Sequence, residues 1–216
     1  MFTVLFRHPD FVVLNKMAGV SVHRDDAETA FTAEVARVLG VARVWLVHRL
    51  DKPTSGILLL ALNATAAAEL AQQFAQREVG KTYLALSTHK PQKKQGWVRG
   101  DMVKARRGAW KLTRSQHHPA ITYFTSQSLQ AHLRLFILQP HTGKTHQLRV
   151  AMKSLGSPIL GDELYGGETA ERLFLHAWRL QLSYQNTSFD WIAPLEQVWH
   201  RFPLPSEISA LHGEQK

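Results

Sequence analysis

Residues 43–62 read RVWLVHRLDKPTSGILLLAL. The first five, Arg43 to Val47, are rich in strand-forming side chains. The last six, Ile57 to Leu62, are an unbroken apolar run, short enough for a buried strand. Between the runs, Lys52-Pro53-Thr54-Ser55-Gly56 is a polar turn with Pro and Gly as breakers. The expected order is strand, turn, buried strand, with His48-Arg49-Leu50-Asp51 closing the first strand. An aspartate at such a junction can project into a cleft while the strand keeps its backbone rigid. On spacing alone the plainer reading is a solvated turn in which Asp51 caps its own backbone.

Working outward, Leu5 to Asn15 reads as a hairpin around His8-Pro9-Asp10. Thr29 to Leu39 has helical spacing at Phe31, Val35 and Val38-Leu39, with Gly40 as the stop. Asn63 or Thr65 caps an Ala-rich helix ending near Arg77, and Gly80 terminates it. Lys81 to Ser87 is a strand on which Tyr83 shares a face with Lys81 and Ala85, a placement that reads as core. His132 to Leu138 alternates as a strand, His146 to Leu155 reads as a helix, and Leu173 to Tyr184 is expected to be the last strand. Arg149 on that helix reads by default as an exposed arginine. Strands mixed with helices and hairpins imply α/β or α+β architecture with a mixed sheet, in one domain.

Composition narrows the function. The chain has 216 residues, 44% apolar and 20% charged, as in ordinary globular domains. Cysteine is absent, which excludes disulfides, zinc–thiolate sites and thiol catalysis. Met1 to Asp10 lacks the pattern of a signal peptide, and no apolar run is long enough to span a bilayer, so a cytoplasmic protein is expected. Lys plus Arg number 26 against 17 acids, a formal charge of +9, which favours a polyanionic partner. The segment from Lys90 to Arg114 carries nine Lys or Arg and a single acid, Asp101. Its glycines at 96, 100 and 108 suggest hairpin turns, and it includes Trp97 and Trp110. A charge run is usually a solvated surface. Here it supplies most of the excess charge, so Lys104, Arg106 and Arg107 are candidate contacts to a polyanion, nucleic acid first and an anionic membrane surface second.

Two other chemistries fail on spacing. Gly143-Lys144-Thr145 looks like the end of a phosphate-binding loop, but Leu138 stands where that loop needs its first glycine. His117 and His118 are adjacent, and His141 and His146 are five apart, so neither pair stacks two metal ligands on one helical face. No metal site is expected.

Five segments in order resemble the RluA family of RNA pseudouridine synthases. They are His48-Arg49-Leu50-Asp51 with Thr54-Ser55-Gly56; Lys81-Thr82-Tyr83; Thr142-Gly143-Lys144-Thr145-His146-Gln147-Leu148-Arg149; Gly161-Asp162 with Leu164-Tyr165-Gly166; and Leu175-His176-Ala177. Met17, Lys52-Pro53 and Ala151 depart from the family's usual residues. The resemblance implies an α+β fold, with a mixed, largely antiparallel sheet and flanking helices, forming a single catalytic domain over residues 1–216. It is similar to members without a separate N-terminal RNA-binding domain. It implies that uridine in ribosomal or transfer RNA is isomerised to pseudouridine by a monomer, without a cofactor or a nucleotide. Asp51 takes the chemistry, whether by attack on the base, by attack on C1′ or as a base on the ribose. Tyr83 packs against the uracil, and Arg149 keeps the carboxylate of Asp51 ionised. Arg49 fills the gap left by a flipped nucleotide, with His48 and Lys81 as further RNA contacts. The alternatives are a catalytically silent RNA-binding or RNA-chaperone protein on the same fold and a basic nucleotide hydrolase.

Overall fold

The computed structural model describes residues 1–22 and 25–209. In chain order the elements are β1 (Phe2–Arg7), β2 (Phe11–Lys16), α1 (Asp25–Leu39), β3 (Trp45–Leu46), β4 (Ser55–Ala61), α2 (Ala64–Gln76), β5 (Gly80–Ser87) and β6 (Gln95–Gly100). They continue with β7 (Met102–Lys104), β8 (Trp110–Leu112), β9 (Ala120–Gln130), β10 (Leu133–Pro140), α3 (Gln147–Ser154), β11 (Leu175–Tyr184), β12 (Thr187–Ile192) and α4 (Ser206–Ser209). The fold is α+β and largely antiparallel, as expected. Among the described residues no helix is long and apolar enough to cross a membrane. The chain divides into two compact units.

The first unit comprises Met1–Gly80 and Ala177–Pro194. Its strands run in the order β1-β2-β4-β11, with β3 also on β4 and β12 also on β11. β2 and β4 are buried at almost every position, because both faces of these strands are covered. That is why Ile57 to Leu60 reads as a continuous apolar run instead of alternating. On one face Phe11, Val13, Ile57 and Leu59 pack with Leu70 of α2 and with Leu180, Leu182 and Trp191. Asn63 caps α2 by accepting a hydrogen bond from the Ala66 N–H at 2.9 Å. The helix ends at Arg77 in the left-handed region (φ 63°), and Gly80 opens β5 instead of stopping the helix. Gly56 is required where it stands. Its φ is +111°, and a Cβ would lie 2.2 Å from the Ala177 carbonyl oxygen.

The second unit comprises Lys81–His176 and, from Leu195–Lys216, the part described to residue 209. Its sheet runs β5-β10-β9-β6, with antiparallel registers throughout. α3 packs on one face through Leu148, Ala151, Met152 and Leu155, against Ala85, Phe124, Phe136 and Leu138. A separate two-stranded hairpin, β7–β8, carries the basic segment.

Two strands escaped the sequence reading, β9 and β12. β12 follows a two-residue turn, Gln185-Asn186, with φ of 48° and 61°. Both central residues at positive φ match the twist of a tight hairpin. The turn lacks the glycine that usually announces such geometry, which is why Tyr184 looked like the end of the last strand.

Candidate active site

The Asp51 turn is held by its backbone. Thr54 N–H donates to the Asp51 carbonyl at 2.9 Å, and Gly19 N–H donates to the Lys52 carbonyl at 2.9 Å. Lys16 is completely buried, and its ammonium donates to the carbonyls of Met17 (3.0 Å), Val20 (2.9 Å) and Lys52 (3.3 Å). A buried ammonium is costly unless its donors are satisfied, and carbonyl oxygens satisfy them here. Leu50 on one side of Asp51, and Thr54 and Ser55 on the other, are buried, while Asp51 itself is half-buried. The carboxylate therefore sits on a stiff loop at the surface of the first unit's core.

His48 and Arg49 part company. The His48 ring stacks on Phe74 with centroids 4.4 Å apart and 15° between planes. Its Nε2 accepts from the Leu59 N–H at 2.9 Å, which places the proton of the neutral ring on Nδ1. Arg49, one residue on, is exposed.

The second unit holds the other motif residues. Tyr83 on β5 is half-buried and packs against the α3 core. Lys81 is half-buried, with Nζ 3.9 Å from where a Cβ on Gly143 would stand. Gln147 makes four of the bonds that fasten the loop carrying Gly143. Its carbonyl oxygen accepts from the Thr142 hydroxyl (2.7 Å) and the Lys144 N–H (3.0 Å). Its amide donates to the Ile121 carbonyl (3.1 Å) and the Thr122 hydroxyl (3.0 Å).

Arg149 is not an exposed helical arginine, being only 8% accessible. Its Nε and one terminal nitrogen donate to the two carboxylate oxygens of Asp162 at 2.9 and 2.7 Å. This is the forked arrangement in which guanidinium and carboxylate bind most strongly. The Tyr165 ring lies beneath the guanidinium, 4.9 Å from centroid to carbon. The Tyr165 hydroxyl pairs with His146 Nδ1 at 2.7 Å and accepts from the Trp110 N–H at 3.0 Å. Gly161 keeps this loop close, since a Cβ there would meet the Arg172 carbonyl at 1.8 Å. Sequence reasoning noticed the Gly161-Asp162 and Leu164-Tyr165-Gly166 runs but gave them no role. It missed Lys16 and Gln147 as fastenings, and no spacing signal points to either.

The basic hairpin exposes Lys104, Arg106 and Arg107, with Arg107 and Gly108 at positive φ in its tip. The lone acid of this segment, Asp101, is its clasp. Its carboxylate accepts from the Ser115 hydroxyl (2.7 Å) and from the N–H groups of His118 (2.9 Å) and His117 (3.1 Å). These bonds, the Ser115 hydroxyl foremost, hold its pKa below the usual carboxylate range.

Residues 10–154 match the family model described as RNA pseudouridylate synthase. A Haemophilus influenzae protein named "Uncharacterized RNA pseudouridine synthase" is 59% identical over 185 residues, covering 85% of this chain and 83% of that protein. The tRNA pseudouridine synthase C of Haemophilus ducreyi is 33% identical over 230 residues, covering 91% and 92%. A ribosomal large subunit pseudouridine synthase C from Rickettsia bellii is 35% identical over 190 residues, covering 83% of this chain and 63% of that one. Among solved structures, human RNA pseudouridylate synthase domain containing 4 superposes with a TM-score of 0.78 at 27% identity, covering 94% of each chain. The chain belongs to the RNA pseudouridylate synthase family, in the RluA branch whose motifs it carries, and is an RNA pseudouridine synthase.

Proposed function

We propose that this enzyme converts uridine to pseudouridine in ribosomal or transfer RNA, in the cytoplasm and as a monomer, with Asp51 as its catalytic residue. The bond from C1′ to N1 breaks, the uracil turns, and C1′ joins C5. A proton leaves C5 and N1 gains one, so no atom is added and no cofactor is needed. The uridine is reached outside its stack, at a cost of a few kcal/mol.

The observation that carries the reading is the stiffness of the Asp51 turn. Lys16, Gly19 and Thr54 fix its backbone, as a carboxylate that must meet one reacting atom requires. The names of the tRNA- and ribosome-directed relatives support the substrate class. Arg149, with its plane set by Asp162 and Tyr165, is the cation that favours an ionised carboxylate at the reacting uridine. Tyr83 retains the uracil after the bond breaks. Exposed Arg49 occupies the vacated stack, for which a planar cation is suited. Lys81 contacts the RNA, and the exposed Lys104, Arg106 and Arg107 hold its phosphates. His48, whose ring and Nε2 are taken by Phe74 and Leu59, contributes by positioning the turn.

The test is Asp51→Asn, which keeps size and removes charge. Pseudouridine formation is expected to vanish while RNA affinity stays near that of the parent, because phosphate contacts supply most of the binding. Turnover by the variant at the parental rate overturns the assignment.

A further inference from the structure

β6 lies at the edge of the second unit's sheet, pairing with β9. Its Val98 faces the α3 core, so Trp97 and Arg99 point to the opposite face. Trp97 is 39% exposed and is the one aromatic among the exposed large apolar side chains of the described residues. Tyr123 stands opposite it in the register, with ring centroids 5.1 Å apart. The His141 ring meets Trp97 edge-on at 4.9 Å. The Arg99 guanidinium lies 4.8 Å from the indole centroid, and among the described residues it has no acidic partner. Lys93 donates to the Trp97 carbonyl at 2.9 Å, with its ammonium 5.9 Å from the Phe124 ring centroid.

The core does not require this arrangement, because the apolar packing of β6 runs through Val98 on the other face. Charge alone can protect an edge strand, and Arg99 with Lys94 would suffice for that. An exposed indole beside a phenol, under a planar cation held only by stacking, is the chemistry of a nucleobase platform. We propose that Trp97, Arg99, Tyr123 and His141 stack an unpaired base of the bound RNA, on the sheet face opposite Tyr83. This deepens the RNA-modifying reading above and rests on it for the class of ligand. Charge favours RNA as the occupant, since Lys94 and Arg99 are exposed cations in a segment, Lys90 to Arg114, whose single acid is Asp101, with its carboxylate engaged by Ser115, His117 and His118. The chain passes from Arg99 to Lys104 in five residues, at most about 17 Å at ~3.3 Å per residue. One RNA strand can therefore cover the platform and the basic hairpin together. The platform gives affinity for an unpaired stretch of the bound RNA without choosing its sequence, because every base has a stacking face.

The test uses the full chain and two probes: a short fluorescent oligoadenylate and a blunt RNA duplex of equal length, read by fluorescence anisotropy. Trp97→Ala should weaken oligoadenylate binding about 5- to 150-fold, the span of one lost base stack. It should leave duplex binding within about twofold, since a duplex offers no unpaired base. Trp97→Phe should restore most of the affinity. Arg99→Lys keeps the charge but loses the plane, and should weaken only the oligoadenylate. This second variant sits on an exposed edge and decides the matter if Trp97→Ala unfolds. Parental oligoadenylate binding by Trp97→Ala and Arg99→Lys, or equal losses on both probes, overturns the platform. Pseudouridine formation by the parent is assayed separately, so failure there strikes the proposed function and not the platform.

Discussion

Removal of the Asp162 carboxylate is the perturbation whose size follows most directly from the geometry. The Asp162 side chain is 1% accessible and that of its partner Arg149 is 9%. Asp162→Ala leaves a guanidinium in the interior without its two charge-assisted hydrogen bonds. Breaking one side of a buried ion pair costs about 3–5 kcal/mol. For a chain of this length each kcal/mol moves the melting temperature by roughly 2–4 °C, so a fall of about 6–20 °C is expected. Arg149→Met should cost a similar amount, because it strands the carboxylate instead. The double variant Asp162→Leu with Arg149→Met removes both charges, and such replacements are often nearly neutral. It should therefore melt well above the sum of the two single losses, with a coupling of about 2 kcal/mol or more. Thermal melting of the four proteins at one ionic strength completes the cycle, and pseudouridine formation is measured on the same samples. A single variant melting within about 2 °C of the parent, or strictly additive losses, would refute the reasoning. If the double variant is stable and turns over at the parental rate, the pair is structural and Arg149 has no part in the chemistry.

Changing Lys104, Arg106 and Arg107 to Gln should flatten the plot of log affinity against log salt by up to about 2, at ~0.7 per lost phosphate contact on a single strand; an unchanged slope moves the RNA elsewhere. Because the folded-state pKa of Asp101 is depressed, its contribution is present above the unfolded-state value of about 3.9 and lost as pH falls through the lower folded value. Amide resonances of His117 and His118 should titrate with a midpoint below about 3.9 and cease to do so in Asp101→Asn, and a midpoint at or above that value contradicts the clasp. Gly56→Ala should cost at least about 3 kcal/mol or prevent accumulation, because a Cβ at 2.2 Å from the Ala177 carbonyl forces β4 from β11. Gly19→Ala, at φ +83° with open space around it, should cost only about 1–2 kcal/mol by melting, and equal losses would show that crowding is not the cause.

The legible parts of the fold were those whose pattern is local. The run from Ile57 to Leu62 declared a buried strand, Asn63 declared a helix start, and His8-Pro9-Asp10 declared a turn. β9 was hidden because only its first half alternates in burial, with Ala120, Thr122 and Phe124 inward, while its later half is polar surface. Thr122 also looks like a surface residue in sequence, yet it is buried to receive Gln147. Asp51, Tyr83 and Arg149 could be nominated because their motifs are contiguous. Their supports could not. Asp162 is thirteen residues from Arg149, and Lys16 is thirty-six from Lys52. Such partners are chosen by packing, which no periodicity encodes.

The lodging of Lys16 makes it an internal clock. Amine-reactive reagents label solvent-exposed lysines at rates set by the reagent. Lys16 has no accessible surface and donates to the carbonyls of Met17, Val20 and Lys52, so it reacts when the segments bearing these carbonyls let go. Its labelling rate, followed residue by residue in a mass spectrometer, therefore counts openings of the packing that backs the Asp51 loop. A ligand that steadies that loop would slow this one lysine and leave the exposed ones unchanged.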